Sequence, residues 1–128
     1  MDLAGFLLGK AGFNAIGAVF GKLTGNENLR RQSIKNYLAG GQFCKQIDFL
    51  KQGSDELFVG RAGYLIGALW LQQQLGLSYM PLEKPDLRQI WYAMLESGRK
   101  YAIRNRSPCP LMYAYYDTEY LGNFTLYI

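Results

Sequence analysis

Apolar and polar positions along this chain fall in blocks rather than alternating residue by residue. Two blocks, 13–23 and 64–75, are apolar nearly all round: Phe13, Ala15, Ile16, Ala18, Val19 and Phe20 in one, Tyr64, Leu65, Ile66, Ala68, Leu69, Trp70 and Leu71 in the other. Runs of that length predict helices, and helices apolar on every side are expected to be buried. Each is followed by a longer, more polar block. In the first, 28–50, Ile34, Tyr37, Leu38, Cys44 and Ile47 mark one face, and Arg30, Arg31, Lys35 and Lys45 the solvated side. Asn26 is its predicted N-cap, and Glu27 suits the positive helix end. Gly40 and Gly41 would each cost about 1 kcal/mol inside a helix, which predicts a kink or break there. In the second, 86–103, Leu87, Ile90, Trp91, Met94 and Leu95 follow the i, i+3, i+4, i+7, i+8 spacing. Arg99, Lys100 and Arg104 load its C-terminal end, as the helix dipole favours.

The order apolar helix, amphipathic helix, apolar helix, amphipathic helix is a repeat. At an offset of 51 residues Gly9 meets Gly60, Lys10 meets Arg61, Ala11 meets Ala62 and Gly12 meets Gly63. Phe13 meets Tyr64, and Gly25 meets Gly76. A period near 50 marks a repeated supersecondary unit. Gly12 and Gly63 read as helix starts, Gly25 and Gly76 as C′ residues beyond helix ends. Stacked helical hairpins with one enclosed and one solvated layer satisfy this pattern. Gly60 and Gly63 then let the backbone turn sharply into the inner layer, and Arg61 is placed to hold carbonyls or a carboxylate at that turn.

Composition narrows the chemistry. The 128 residues are 49% hydrophobic and 19% charged, the make-up of one globular domain with its own core. A net charge of +4 is compatible with anionic partners without requiring them. Histidine is absent, which removes a His base, a Ser-His or Cys-His pair and any His metal ligand from these residues. Cys44 and Cys109 form no C-x-x-C motif, and two thiolates alone do not close a tetrahedral zinc site; they read as reduced thiols of an intracellular protein. Residues 3–20 are almost long enough to span a bilayer. Lys10 at their centre, Asn14 and the preceding Asp2 argue against a span or a signal peptide.

ELFVGRAGYLIGALWL, starting at Glu56, resembles the GRAGY segment of the LanC-like proteins, eukaryotic relatives of bacterial lanthionine synthetase C. FLLGKAGFNAIGAVF resembles the preceding glycine turn and inner helix of that family. LRQIWYAMLESGRKYA, with Ser97-Gly98, resembles its following outer helix, and SPCPLMYAYYDTEYLG its PLMYEW...YVG segment. The resemblance runs from Leu7 to Gly122. It implies an all-α fold, a partial α/α toroid: an incomplete ring of helical hairpins in inner and outer layers, with a domain over 1–122 and a divergent tail over 123–128. The repeat motif of that domain is Gly9, Lys10, Gly12, Gly60, Arg61, Ala62, Gly63, Tyr64 and Gly122.

The same resemblance implies a function. Family members hold zinc with two cysteines and a histidine, use a further histidine in acid/base chemistry, and activate a thiol for addition to a dehydroamino acid. A zinc-bound thiol is deprotonated and nucleophilic at neutral pH. The eukaryotic relatives bind glutathione, which implies glutathione or a modified protein as partner of the full-length family. None of those zinc or catalytic residues carries over to a position here: after Gly122 the family continues AAHG, whereas this chain continues Asn123 to Ile128. The expectation is therefore a partial chain, cut within a third hairpin, with no cofactor or catalytic residue of its own and no activity alone. An alternative reading is a non-catalytic helical interaction module with a basic outer face; another is a splice product without function.

Neighbouring motifs read more plainly. Arg99, Lys100, Arg104 and Arg106 are expected to form a solvated helix end, with weak contact to an anionic membrane as the sharper reading. Tyr113, Tyr115, Tyr116 and Tyr120 are expected to pack, and no RNP-like or zinc pattern points to nucleic acid. Asp117 and Glu119 suggest a loop salt bridge. The expected location is cytoplasmic, or peripheral to the plasma membrane. Inner helices lacking a neighbour would leave apolar area in water, so the isolated chain is expected to be marginal or self-associating, with Tyr64, Ile66 and Trp70 as the sticky side.

Overall fold

The computed structural model describes residues 4–48, 50, 54–76, 84–116 and 123–126, the last four and 84 and 114–116 by backbone alone. Its elements are α1 (Lys10–Leu23), α2 (Glu27–Cys44), α3 (Arg61–Leu75), α4 (Lys84–Arg104), β1 (Tyr113–Tyr116) and β2 (Asn123–Leu126). The all-α reading holds for the body of the molecule. Beyond it, β1 and β2 pair antiparallel, from Tyr113 opposite Leu126 to Tyr116 opposite Asn123.

Helix boundaries follow from what satisfies the free backbone groups. Gly9 and Gly60 are the N-caps of α1 and α3, both extended and neither with a side-chain oxygen to offer. The preceding loops supply acceptors instead: Gly5 for the Gly12 amide, and Ser54 for the Arg61 amide at 2.8 Å. These helices thus start at Lys10 and Arg61, two residues before the glycines read as helix starts, so that Gly12 and Gly63 lie inside the first turn. In α2 the Asn26 side chain accepts from the Leu29 amide at 3.0 Å, with Glu27 beside it. Gly25 sits beyond α1 at φ +70° and Gly76 ends α3 at φ +129°, conformations that favour glycine.

α1 and α2 close a hairpin by unusually near approach. A methyl group at Gly17 would stand 2.6 Å from Ser33 Oγ, and one at Gly21 2.6 Å from the Arg30 backbone nitrogen. α1 and α3 lie side by side and run the same way. At their starts the Leu8 amide donates to the Phe58 carbonyl at 3.2 Å; at their ends Lys22 Nζ donates to the Gln74 carbonyl at 2.7 Å. α4 joins α2 through a half-buried Lys45–Asp86 ion pair at 2.5 Å. The core gathers Ala11, Ala15 and Ala18 of α1, Tyr37 and Cys44 of α2, Tyr64 and Leu71 of α3, and Ile90 of α4. This packing is compatible with a segment of a helical toroid.

Three expectations need correction. α2 runs through Gly40 and Gly41 without a break and stops at Cys44, not at 50. Both glycines are buried, and a methyl at Gly41 would lie 2.5 Å from Tyr64 Oη, so the missing side chain makes room for a tyrosine. The inner helices are not buried all round: Phe13 is 78% exposed, and Ile16, Phe20 and Leu23 are exposed with it, because the small residues Ala11, Ala15, Ala18 and Gly21 form the packed side of α1. Tyr64 belongs to no sticky surface; it is fully buried, whereas Ile66 is exposed and Trp70 half-buried against Phe6.

Candidate functional site

The repeat motif centres on Arg61, the one large cation that the fold encloses completely among the described residues. It stands in the first turn of α3, just after the N-cap, which points its side chain back at the C-terminal end of α2. Nε donates to the Cys44 carbonyl at 2.8 Å, and Nη2 to the carbonyls of Gln46 and, at 2.6 Å, Ile47. Nη1 meets Asp55 Oδ1 at 2.6 Å. One planar guanidinium therefore gathers the last carbonyl of α2, the carbonyls of Gln46 and Ile47 just beyond it, and a carboxylate from the loop before its own helix.

Asp55 is only 7% exposed at its side chain. Burial pushes its carboxyl upward; the charge of Arg61, and hydrogen bonds from Ser97 of α4 and from Arg61, pull it back. The node so links four pieces of chain: the end of α2, the 54–60 loop, α3 and α4. Tyr113 adjoins it. Its hydroxyl donates to the Met94 carbonyl at 3.1 Å, its ring seats against Gly98, and burial followed by the charge of Asp55 raises its pKa.

Beside the cation lies a pair of tyrosines. Tyr37 of α2 and Tyr64 of α3 stack with centroids 4.7 Å apart at 13°. Each hydroxyl donates to the other residue's backbone carbonyl. Burial first, and then neighbouring Tyr64 and Cys44 for Tyr37 and Cys44 and Asp86 for Tyr64, hold both phenols far above the ordinary tyrosine pKa. Phenols so held are proton donors in fixed bonds, not bases. The arrangement orients helices; a protonated guanidinium and two neutral phenols supply no nucleophile.

The motif residues do not share one environment. Gly60 and Gly63 are buried with Arg61 and Tyr64, and Ala62 is half-buried. Gly12 is buried too, Gly9 half-buried, while Lys10, the repeat counterpart of Arg61, is exposed. Gly12 and Gly63 are nonetheless equivalent: a methyl at either would run into the carbonyl oxygen of the residue six before it, Phe6 or Leu57. Gly122 lies outside the described residues, as do Asp117, Glu119 and Tyr120. Asp55 was not singled out from the sequence; an acid six residues before an arginine at a turn, with Ser54 adjoining it, is the signal that could have found it.

Zinc is the metal that the resemblance to LanC-like proteins implies, and the residues here do not fit it. Cys44 is buried at the end of α2 within the core, Cys109 follows α4, and the chain has no histidine. Among the described residues no three His, Cys, Asp or Glu side chains come together as ligands. No described helix is long and apolar enough to cross a membrane.

Comparison with known proteins agrees with the geometry of the repeat. The model of the lanthionine synthetase C-like protein family matches residues 1–123. The zebrafish (Danio rerio) protein named Glutathione S-transferase LANCL1 is 40% identical over 70 residues, 53% of this chain and 17% of that protein. The Arabidopsis thaliana LanC-like protein GCL1 is 30% identical over 121 residues, 91% of this chain and 27% of that protein. The chain thus spans well under a third of the length of these relatives. It belongs to the lanthionine synthetase C-like family.

Proposed function

We infer that residues 1–128 serve as framework in a LanC-like protein whose glutathione-linked thiol addition to dehydroamino acids is carried out by residues outside this chain. The observation that carries this reading is the use made of the family-resembling motif. Arg61 is turned inward onto the Cys44, Gln46 and Ile47 carbonyls and Asp55, so the most distinctive residue of GRAGY is committed to holding α3 on α2. The name of the zebrafish relative supports glutathione as the thiol of the longer proteins. On this reading the chain alone is inactive, and zinc belongs to the longer family members. Calorimetric titration of the 128-residue protein with reduced glutathione tests it: no saturable heat is expected. Saturable binding of reduced glutathione to the folded chain would overturn the reading.

A second reading, a basic interaction module, is favoured by the outer side of α4. Arg88, Trp91, Tyr92, Lys100, Ile103 and Arg104 are all exposed there. Cations mixed with aromatic and apolar side chains suit weak contact with an anionic membrane at the cytoplasmic side. Cosedimentation with vesicles containing phosphatidylserine, compared with neutral vesicles, separates the readings; the framework reading expects equal, negligible binding to both.

A further inference from the structure

We draw no further inference here: the strongest candidate, the apolar groove that Phe6, Leu8, Phe13, Ile16 and Trp70 line beside the start of α1, carries nothing because the chain spans under a third of its relatives' length and nothing in the structure shows what covers that groove.

Discussion

Tyr37 Oη donates to the Tyr64 carbonyl at 2.5 Å, and Tyr64 Oη donates back to the Tyr37 carbonyl at 3.1 Å, so that two residues 27 apart in sequence lock α2 to α3 with a reciprocal pair of bonds. The stack brings the rings within reach, and Gly41 and Gly67 clear the space for the two hydroxyls. Tyr37→Phe and Tyr64→Phe each keep the ring and delete one bond, which should cost about 1 kcal/mol. Residues that share one stack do not respond independently, and the double variant should depart from the sum by at least about 0.5 kcal/mol. Urea unfolding of the four proteins measures both quantities. Strict additivity would mean that the two bonds are energetically separate.

The same burial predicts sensitivity to alkali. Both phenols have folded-state pKa values raised above the ordinary 10.0, chiefly by desolvation. Below pH 10 folded and unfolded chains bind these protons equally and the stability is fully present. Above it the unfolded chain releases them and the folded chain does not, so stability is lost as pH rises. Each phenol contributes about 1.4 kcal/mol per pH unit there, and the pair about 3. Absorbance at 295 nm should show two tyrosines ionising only as the helical signal disappears, and the Tyr37→Phe, Tyr64→Phe double variant should lose that coincidence.

Helix type, the repeat and the role of a cation at the α3 turn could all be read from residue spacing, because glycine, an aromatic and a positive charge return 51 residues apart. What Arg61 grips could not. Its acceptors depend on α2 ending at Cys44, and Gly40 and Gly41 suggested an interruption where the helix instead continues past Tyr64. Nor could composition decide which side of α1 is covered. Phe13 and Ala15 are both apolar, yet only the small residues face a helix that has approached to glycine distance. The Asp55–Ser97 contact joins residues 42 apart, and a pairing at that separation leaves no local signal even though α4 itself is legible from its spacing.

Removing Arg61 should be far more harmful than removing an exposed cation. Arg61→Met leaves the buried Asp55 without its cation and takes the guanidinium from the carbonyls of Cys44, Gln46 and Ile47. Breaking a buried pair from one side costs about 3–5 kcal/mol. Arg61→Lys keeps the charge but cannot fork to acceptors on several sides, so it should recover only part of that loss. Adding Asp55→Asn to Arg61→Met should remove the unpaired carboxyl and restore stability by more than about 1 kcal/mol. Lys10→Met, at the matching but exposed position, should change stability by less than about 0.5 kcal/mol. Thermal and urea melts of the set decide it; equal effects at 10 and 61 would mean the clamp carries little weight.

Glycines offer the sharpest comparison between the two repeats. At Gly12 and Gly63 an added methyl meets a main-chain carbonyl, Phe6 and Leu57 respectively, and main chain cannot swing aside as a flexible side chain can. The two clashes are alike, 1.8 Å to the Phe6 oxygen and 1.9 Å to that of Leu57. Overpacking of this kind costs about 1–3 kcal/mol, and the upper end is expected here because the loop carrying the carbonyl must shift as a unit. Gly25 is different in kind: nothing lies within 4 Å of its added methyl, but its φ is +70°. Gly25→Ala should cost about 1 kcal/mol, and Gly25→Asn less, since asparagine tolerates that conformation better. The measurement is the unfolding free energy of Gly12→Ala, Gly63→Ala and Gly25→Ala side by side. If the turn before each inner helix is the same device used twice, the first two should fall together, each by at least about 1 kcal/mol more than the third. A tolerant Gly12 beside an intolerant Gly63 would mean that the turns match in sequence but only the second is held under load by the hairpin packed upon it.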